Sequence, residues 1–340
     1  GATVSISGGS FSGGKNNILA SKGTLTLTGG TYDQDVASFC AEGYISESNG
    51  NGTWTVRQAN YVAQIGTVKY ESLDEAFAAA QDGNEVKILE AGTYALSTSG
   101  KSITITGAVD GVVFDNIGTK NMGGANVTFN NVTFDYYPNV NYTGLQHSGN
   151  LVYNNCTING QVFLYGEKET FNNCKFNQNS SDAYNVWTYG AKEVVFNGCT
   201  FNSAGKSVLI YAEGESIFND VTVTGCTFNA TASVEGKAAI EMDSSLTSGI
   251  ELTITNTTAE GFGTGNISGN SLWNNKKGNE GNNNDITVIV DGVTVLAPEY
   301  EAQIGEVKYQ HLTDALAAAQ DGETVEIFAG TFTQNLDITK

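Results

Sequence analysis

The amino-acid sequence predicts an all-β chain, a right-handed parallel β-helix with short amphipathic capping helices. Three observations carry that expectation. A long internal repeat sets the modules, a strand–corner–strand template recurs inside them, and several template columns agree at once.

The long repeat aligns YVAQIGTVKYESLDEAFAAAQDGNEVKIL, from Tyr61, with YEAQIGEVKYQHLTDALAAAQDGETVEIF, from Tyr300, and 18 of 29 positions are identical at an offset of 239. The chain therefore reads as a segment of a longer protein in three parts. Residues 1–57 are expected to end a preceding β-helix module. Residues 58–298 are expected to form a complete module with an N-terminal cap helix, and residues 299–340 to begin the next.

Within the modules, VTFNNVTFD, VYNNCTIN, TFNNCKFN, VFNGCTFN, VTGCTFN, TITNTTA and VIVDGVTV share one template: an alternating strand, a two-residue polar corner and a second alternating strand. The second corner position runs Asn131, Asn155, Asn173, Gly198, Gly225, Asn256 and Gly292, with Gly8 and Gly29 assigned to it in the N-terminal part. Asn and Gly tolerate positive φ, so the column predicts a recurrent left-handed bend. Before the bend stand Asn130, Asn154, Asn172 and Asn197; after it stand Val132, Cys156, Cys174, Cys199 and Cys226. Parallel strands stacked about 4.8 Å apart turn these columns into an Asn ladder at the corner and a thiol column in the core. Phe129, Phe171 and Phe196 form a second expected core column.

Each module start carries a helix signal. Ser72-Leu-Asp-Glu75 is a capping box, and Leu73, Ala76, Phe77 and Ala80 make one apolar face. Asp82-Gly83 ends that helix, and the strand EVKIL follows. Helices are expected near 72–81 and 312–320, with His311 at the cap position of the second. Such helices would plug the open end of a coil. A short helical turn and a hairpin over Tyr44–Val56 are expected to close the first module.

The pattern SLxEAxxAAxDGxxVxI leading into AGTY resembles the N-terminal cap of the pectate-lyase-like β-helix superfamily. The KYESLDEAFAAAQDG block and GGTYDQDVASFCAEGYISESNGNGTWTV are similar to modules of large surface proteins of anaerobic, chiefly gut, bacteria. The resemblance implies the fold and an extracellular, cell-surface location for the parent protein. It leaves activity open, because the fold hosts lyases, hydrolases, adhesins and stalks.

Charge narrows the partners. Acids outnumber bases 36 to 16, a formal net charge of −20, and Arg57 is the single arginine. A surface of that sign repels nucleic acid and anionic lipid, and no apolar run is long enough to insert in a membrane. Adjacent modules of the same chain are the one partner that the repeat itself names.

The chemistry-bearing residues point away from catalysis. Cys156, Cys174, Cys199 and Cys226 occupy one template position, where stacked side chains hold their Cβ atoms too far apart for a relaxed disulfide. They are read as buried free thiols, with Cys40 alone in the first module. His147 lies in a Gly/Asn/Tyr loop, and neither it nor His311 joins a triad. No catalytic residue, metal ligand or cofactor is assigned; a structural calcium ion fits the Asp/Asn content but no particular loop. The Asn-x-Thr triplets arise from the corner template itself.

Aligning VFLYGEKE, VWTYGAKE and VLIYAEGE produces columns Val162/Val186/Val208, Phe163/Trp187/Leu209, Leu164/Thr188/Ile210 and Tyr165/Tyr189/Tyr211. Ala238 and Ile240 are expected to continue the Val and Leu columns, which places Glu241 in the Tyr column. A charge at that position argues that the Tyr column faces outward. Phe163, Tyr165, Trp187, Tyr189, Tyr211 and Glu241 are thus the candidate ligand-binding face, on a flat sheet bordered by the loops 135–150 and 261–285. Two arrangements are open, an exposed aromatic platform or one covered by those loops. The functional expectation is a non-catalytic surface module that binds or displays a glycan or glycoprotein. The alternatives are a polysaccharide lyase or hydrolase and a purely structural stalk.

Overall fold

The computed structural model describes residues 1–13, 23–98, 100–115, 119–147, 149–211, 218–243, 249–275 and 286–333. The chain is all-β with several long parallel sheets, compatible with a β-helix solenoid. It divides into two compact bodies, Gly1–Ala76 and Phe77–Lys340.

In the first body, strands Thr3–Phe11 and Thr24–Tyr32 pair in parallel, and the Phe11 ring lies on the Tyr32 ring at 5.1 Å. Within these two strands the positive-φ residues are Gly9 and Gly30, one position later than the expected Gly8 and Gly29. The pairing shifts by one residue between Ile6 and Ser7, just before the bend. Gly29 is demanded by proximity instead, since a Cβ there would lie 2.2 Å from the Ser7 carbonyl oxygen. The expected helical turn is Ala37–Phe39, and the expected hairpin pairs Tyr44–Ser48 with Trp54–Gln58. Leu27, Tyr32, Val36 and Val56 form the core under it. Arg57 donates to Glu47 at 2.6 and 2.9 Å and to Glu71 at 2.7 and 3.0 Å, a doubly bidentate clamp.

The two copies of the long repeat fold alike. Hairpin Ala63–Ile65/Val68–Tyr70 corresponds to Ala302–Ile304/Val307–Tyr309, and in each a lysine lies 5.4 Å over a tyrosine ring, Lys69 on Tyr61 and Lys308 on Tyr300. The helices are Leu73–Ala79 and Leu312–Ala318, with Ala76 and Ala315 buried. Their caps differ. Ser72 Oγ accepts the Asp74 N–H at 3.2 Å, whereas His311 makes no side-chain cap and the Glu301 carboxylate accepts the Leu312 N–H at 2.7 Å.

In the second body the chain visits three parallel sheets in rotation. Strand Asn150–Asn154 is followed by Thr157–Asn159 and Val162–Phe163, and Lys168–Asn172 then returns to pair in register with Asn150–Asn154. The first sheet runs through 104–107, 127–130, 150–154, 168–172, 193–197, 218–224, 249–255 and 286–290. The second runs through 112–115, 133–135, 157–159, 175–177, 200–203, 227–230 and 258–260, and the third through 162–163, 186–187, 208–210, 240–242 and 273–275. The corner column has φ of +56° at Asn131, +52° at Asn155 and Asn173, +61° at Gly198, +62° at Gly225 and +48° at Asn256. Left-handed backbone at one position per rung turns the chain sharply from the first sheet into the second.

Register converts sequence columns into contacts. Val132, Cys156, Cys174, Cys199 and Cys226 are buried and the cysteines are free thiols. Cys174 and Cys199 donate to the carbonyls of Tyr153 and Phe171, both at 3.3 Å. Phe129, Tyr153, Phe171 and Phe196 form one ring stack, with Tyr153 and Phe171 only 4.4 Å apart, and Phe176, Phe201 and Phe228 form another. Each such pair adds about 0.5–1.5 kcal/mol beyond area burial. Along the corner, Asn154 donates to Asn130, Asn172 to Asn154 and Asn197 to Asn172, at 2.8–2.9 Å. A second amide ladder, Asn159–Asn177–Asn202–Asn229, runs along the far end of the second sheet at 2.9–3.3 Å.

Two outcomes follow for stability. Asn172→Ala leaves one amide on each neighbouring rung without its partner and is expected to lower the unfolding free energy by about 1–2 kcal/mol, read as a lower urea midpoint at unchanged slope. The four column thiols should resist a maleimide until denaturant is added, when all five cysteines react. Rapid modification of the column in the folded protein would contradict their burial.

Candidate functional site

The third sheet carries the candidate residues. Val162, Val186, Val208 and Ile240 share one register position, and Phe163, Trp187, Leu209, Glu241 and Asn274 share the next. Glu241 therefore stands beside Leu209, two residues from the expected alignment with Tyr211. Slipping a strand by two residues preserves which side chains face in and out, so alternation alone cannot detect the error. The Tyr column and the Phe163 column nonetheless share one side, because Phe163 meets Tyr189 at 5.5 Å and Trp187 meets Tyr211 at 5.8 Å.

The rings are brought together but are not coplanar. Phe163 stacks on Trp187 at 5.1 Å, whereas Tyr165 meets Tyr189 edge-on at 5.4 Å and 73°. Tyr189 and Tyr211 are nearly parallel at 6.4 Å. The loop before the sheet adds Tyr142, which contacts Phe163 and Tyr189 at 5.5 Å each. Two residues on, Gly144 is required by the close approach of the next rung, since a Cβ there would lie 2.0 Å from the Phe163 carbonyl oxygen. Tyr142 is 51% exposed, Tyr165, Trp187, Tyr189 and Tyr211 are half-buried, and Phe163 is buried beneath them.

Two of these residues hold strained backbone. Tyr142 has φ +67° and Tyr189 φ +37°; every other described non-glycine residue with positive φ is Asn or Asp. A bulky side chain there costs on the order of 1–3 kcal/mol, and such strain clusters at functional sites. Sequence reading had no signal for Tyr142 beyond its place in the 135–150 loop.

Buried carboxylates hold the cluster in place. Glu169, 1% exposed, accepts the Tyr165 N–H at 3.0 Å and the Tyr153 hydroxyl at 3.4 Å, while the Tyr165 hydroxyl donates to the Tyr142 carbonyl at 2.7 Å. Burial, then the Glu169 charge, pushes the Tyr153 phenol well above its ordinary pKa. Glu169 was not recognised in the sequence because its neighbours in register are Leu151 and Val194, an apolar column.

At the other end the sheet is sealed. Glu241, 1% exposed, accepts the Ala238 N–H at 2.7 Å and lies 3.7 Å from Lys237 Nζ, which reaches the Tyr184 hydroxyl at 3.5 Å. Tyr184 meets Trp187 edge-on at 5.9 Å, and its phenol is pushed strongly up by burial, then by Glu241 and Asp243. The described part of the 261–285 loop covers the Asn274 side chain, whose Oδ1 accepts the Ile267 N–H at 3.0 Å. The two expected arrangements thus coexist, covered around Glu241 and partly open around Tyr142. The remainder of that loop, 276–285, and the His147 side chain lie outside the described residues.

A charged rank runs along the first sheet. Lys168, Glu193, Asp220 and Glu251 occupy one register position on successive rungs of the first sheet. Burial, then Glu251 and Glu193, raises the Asp220 pKa. Among the described residues no group of three or more His, Cys, Asp or Glu is placed to hold a metal ion, and no helix is long and apolar enough to cross a membrane. Comparison with protein-family models, with curated proteins and with solved structures found no match to this chain.

Because the folded-state pKa of Asp220 exceeds its unfolded value, the folded protein gains relative stability as pH falls through that window and loses it above the window. Asp220→Asn should therefore raise the melting temperature at about pH 7, with the gain vanishing near about pH 3, where unfolded carboxylates are protonated. An undiminished gain in acid would show that charge is not its source.

Proposed function

We propose that this chain belongs to a right-handed parallel β-helix repeat of an extracellular bacterial surface protein, of the kind found in anaerobic gut bacteria. In that reading it serves as a non-catalytic module that binds a glycan or glycoprotein. The observation that carries the reading is the partly open aromatic cluster built on strained backbone at Tyr142 and Tyr189. Packing alone does not require a half-exposed tyrosine at positive φ, whereas a preorganised contact surface does. Tyrosine supplies both an apolar face for sugar C–H groups and a hydroxyl for hydrogen bonding. Cap helices at the module starts and thiol columns in the core then belong to the scaffold, and neighbouring modules are its covalent partners.

A stalk without ligand is the second reading, favoured by the sealed half of the sheet around Glu241 and Asn274. Tyr142→Gly separates the two. It removes the ring and relieves the positive φ, so the melting temperature should hold or rise while capture on an array of glycans and glycoproteins is lost. For a stalk, every array signal of the intact protein survives the substitution.

A further inference from the structure

The ligand class of the aromatic cluster is written in its charges and its spacing, given the binding role proposed above. Lys168 and Lys192 follow Tyr165 and Tyr189 by three residues each and are the cations nearest in sequence to the rings. Both are already neutralised across the rungs, Lys168 by Glu193 and Lys192 by Glu167 at 2.7 Å. On the sealed side Lys237 pairs with Glu241 at 3.7 Å, and Lys206 sits 5.7 Å over the Tyr184 ring with its ammonium on the Asp182 carbonyl. The chain's single arginine belongs to the first body, clamped by Glu47 and Glu71. Asp220 and Glu251 extend the negative rank beyond Glu193. Ring faces are themselves the negative pole of an aromatic quadrupole. Among the described residues, a carboxylate or sulfate brought to this surface meets repulsion and only lysines that are already paired or stacked; the side chains of Lys120, Lys276 and Lys277 lie outside the described residues.

Spacing adds a second constraint. Tyr165, Tyr189 and Tyr211 recur once per rung, at centroid separations of 5.4 and 6.4 Å. Their shared column runs along the stacking direction, with the Tyr142 ring beside Tyr189. A ligand that uses all of them is an extended chain with a ring at intervals near the rung spacing of about 4.8 Å. One terminal sugar covers one or two of these rings.

We infer that the Tyr142/Tyr165/Tyr189/Tyr211 cluster takes an internal stretch of an uncharged polysaccharide, laid along the rungs, and rejects uronic or sulfated chains. Neutral sugars stack their C–H faces on the rings and exchange hydroxyl hydrogen bonds with the phenols. Neither contact needs a cation.

The test is calorimetric titration of the whole chain with neutral oligosaccharides of increasing length, taken from a polysaccharide retained on an affinity gel, and with oligouronates of matched length. Affinity for the neutral series should climb from one sugar to three and then level off. It should exceed that for matched oligouronates by at least about tenfold. Tyr189→Ala should weaken the neutral trimer by about three- to tenfold. The double variant E167Q/E193Q, which releases Lys192 and Lys168, should acquire measurable oligouronate binding. Equal affinity for uronates, or a monosaccharide binding as tightly as the trimer, overturns this inference while leaving glycan binding intact. If no saccharide of either series binds and no gel retains the protein, the binding role itself fails and this inference falls with it.

Discussion

Everything in the second body depends on registered stacking of parallel rungs. Each strand lies about 4.8 Å from its neighbours, so a side chain meets the residue at the same template position one rung before and one rung after. A column therefore has to be chemically self-compatible. Phenyl rings meet that condition by stacking, thiols by packing and donating to backbone carbonyls, and Asn by using its amide as donor to one rung and acceptor from the next. Lone charges do not meet it. The acidic rank Glu193–Asp220–Glu251 is only half-buried and ends on Lys168, and the central carboxyl is still pushed up, by burial first and then by its two acidic neighbours. Where a carboxylate is buried, at Glu169 and Glu241, donors from backbone, phenol or lysine surround it.

The candidate site inherits its geometry from the same stacking. Tyr165, Tyr189 and Tyr211 repeat because their strands repeat, and the sheet beneath, together with Glu169, positions the rings. What the template does not supply is Tyr142 and the left-handed backbone at Tyr189. Those are departures from the repeat, and departures concentrate at one end of the third sheet. The other end departs as well, but toward closure. Gly263 and Gly265 approach so closely that a Cβ would lie 2.1 Å from the Val234 carbonyl oxygen and 2.6 Å from Asn274 Cβ. Loops packed that tightly act as walls.

This explains which parts of the molecule were legible in the sequence. Columns that recur were readable: the left-handed corner from Asn131 to Asn256, the first Asn ladder, the Cys column and the cap helices lie where alternation puts them, whereas the corner expected at Gly292 is the turn of an antiparallel hairpin, 286–290 with 293–296. The second ladder through Asn159, Asn177, Asn202 and Asn229 is equally legible in CTIN, CKFN and CTFN, where Asn recurs three residues after each Cys. The position of Glu241 was not readable, because a two-residue slip leaves the in-and-out pattern unchanged. Glu169 was hidden for the opposite reason. It interrupts an apolar column, and its justification lies in three-dimensional partners, the Tyr165 N–H and the Tyr153 phenol, that no local pattern displays. The ring angles, edge-on at Tyr165 and Tyr142, belong to packing and were not fixed by register.

Charge is where scaffold and site meet. A long parallel stack exposes strand edges and needs a repulsive surface to stay apart from its copies, and a net charge of −20 supplies one. The same charge would disable a site for anionic polymers unless cations were set aside for it. Among the described residues the opposite has happened, since Lys168 and Lys192, the lysines nearest the rings in sequence, are engaged in cross-rung ion pairs. On the proposed reading, a surface whose described cations are already paired favours what rings and hydroxyls can hold. The acidity that keeps the repeat soluble and the neutrality of the chain it would bind thus have one origin.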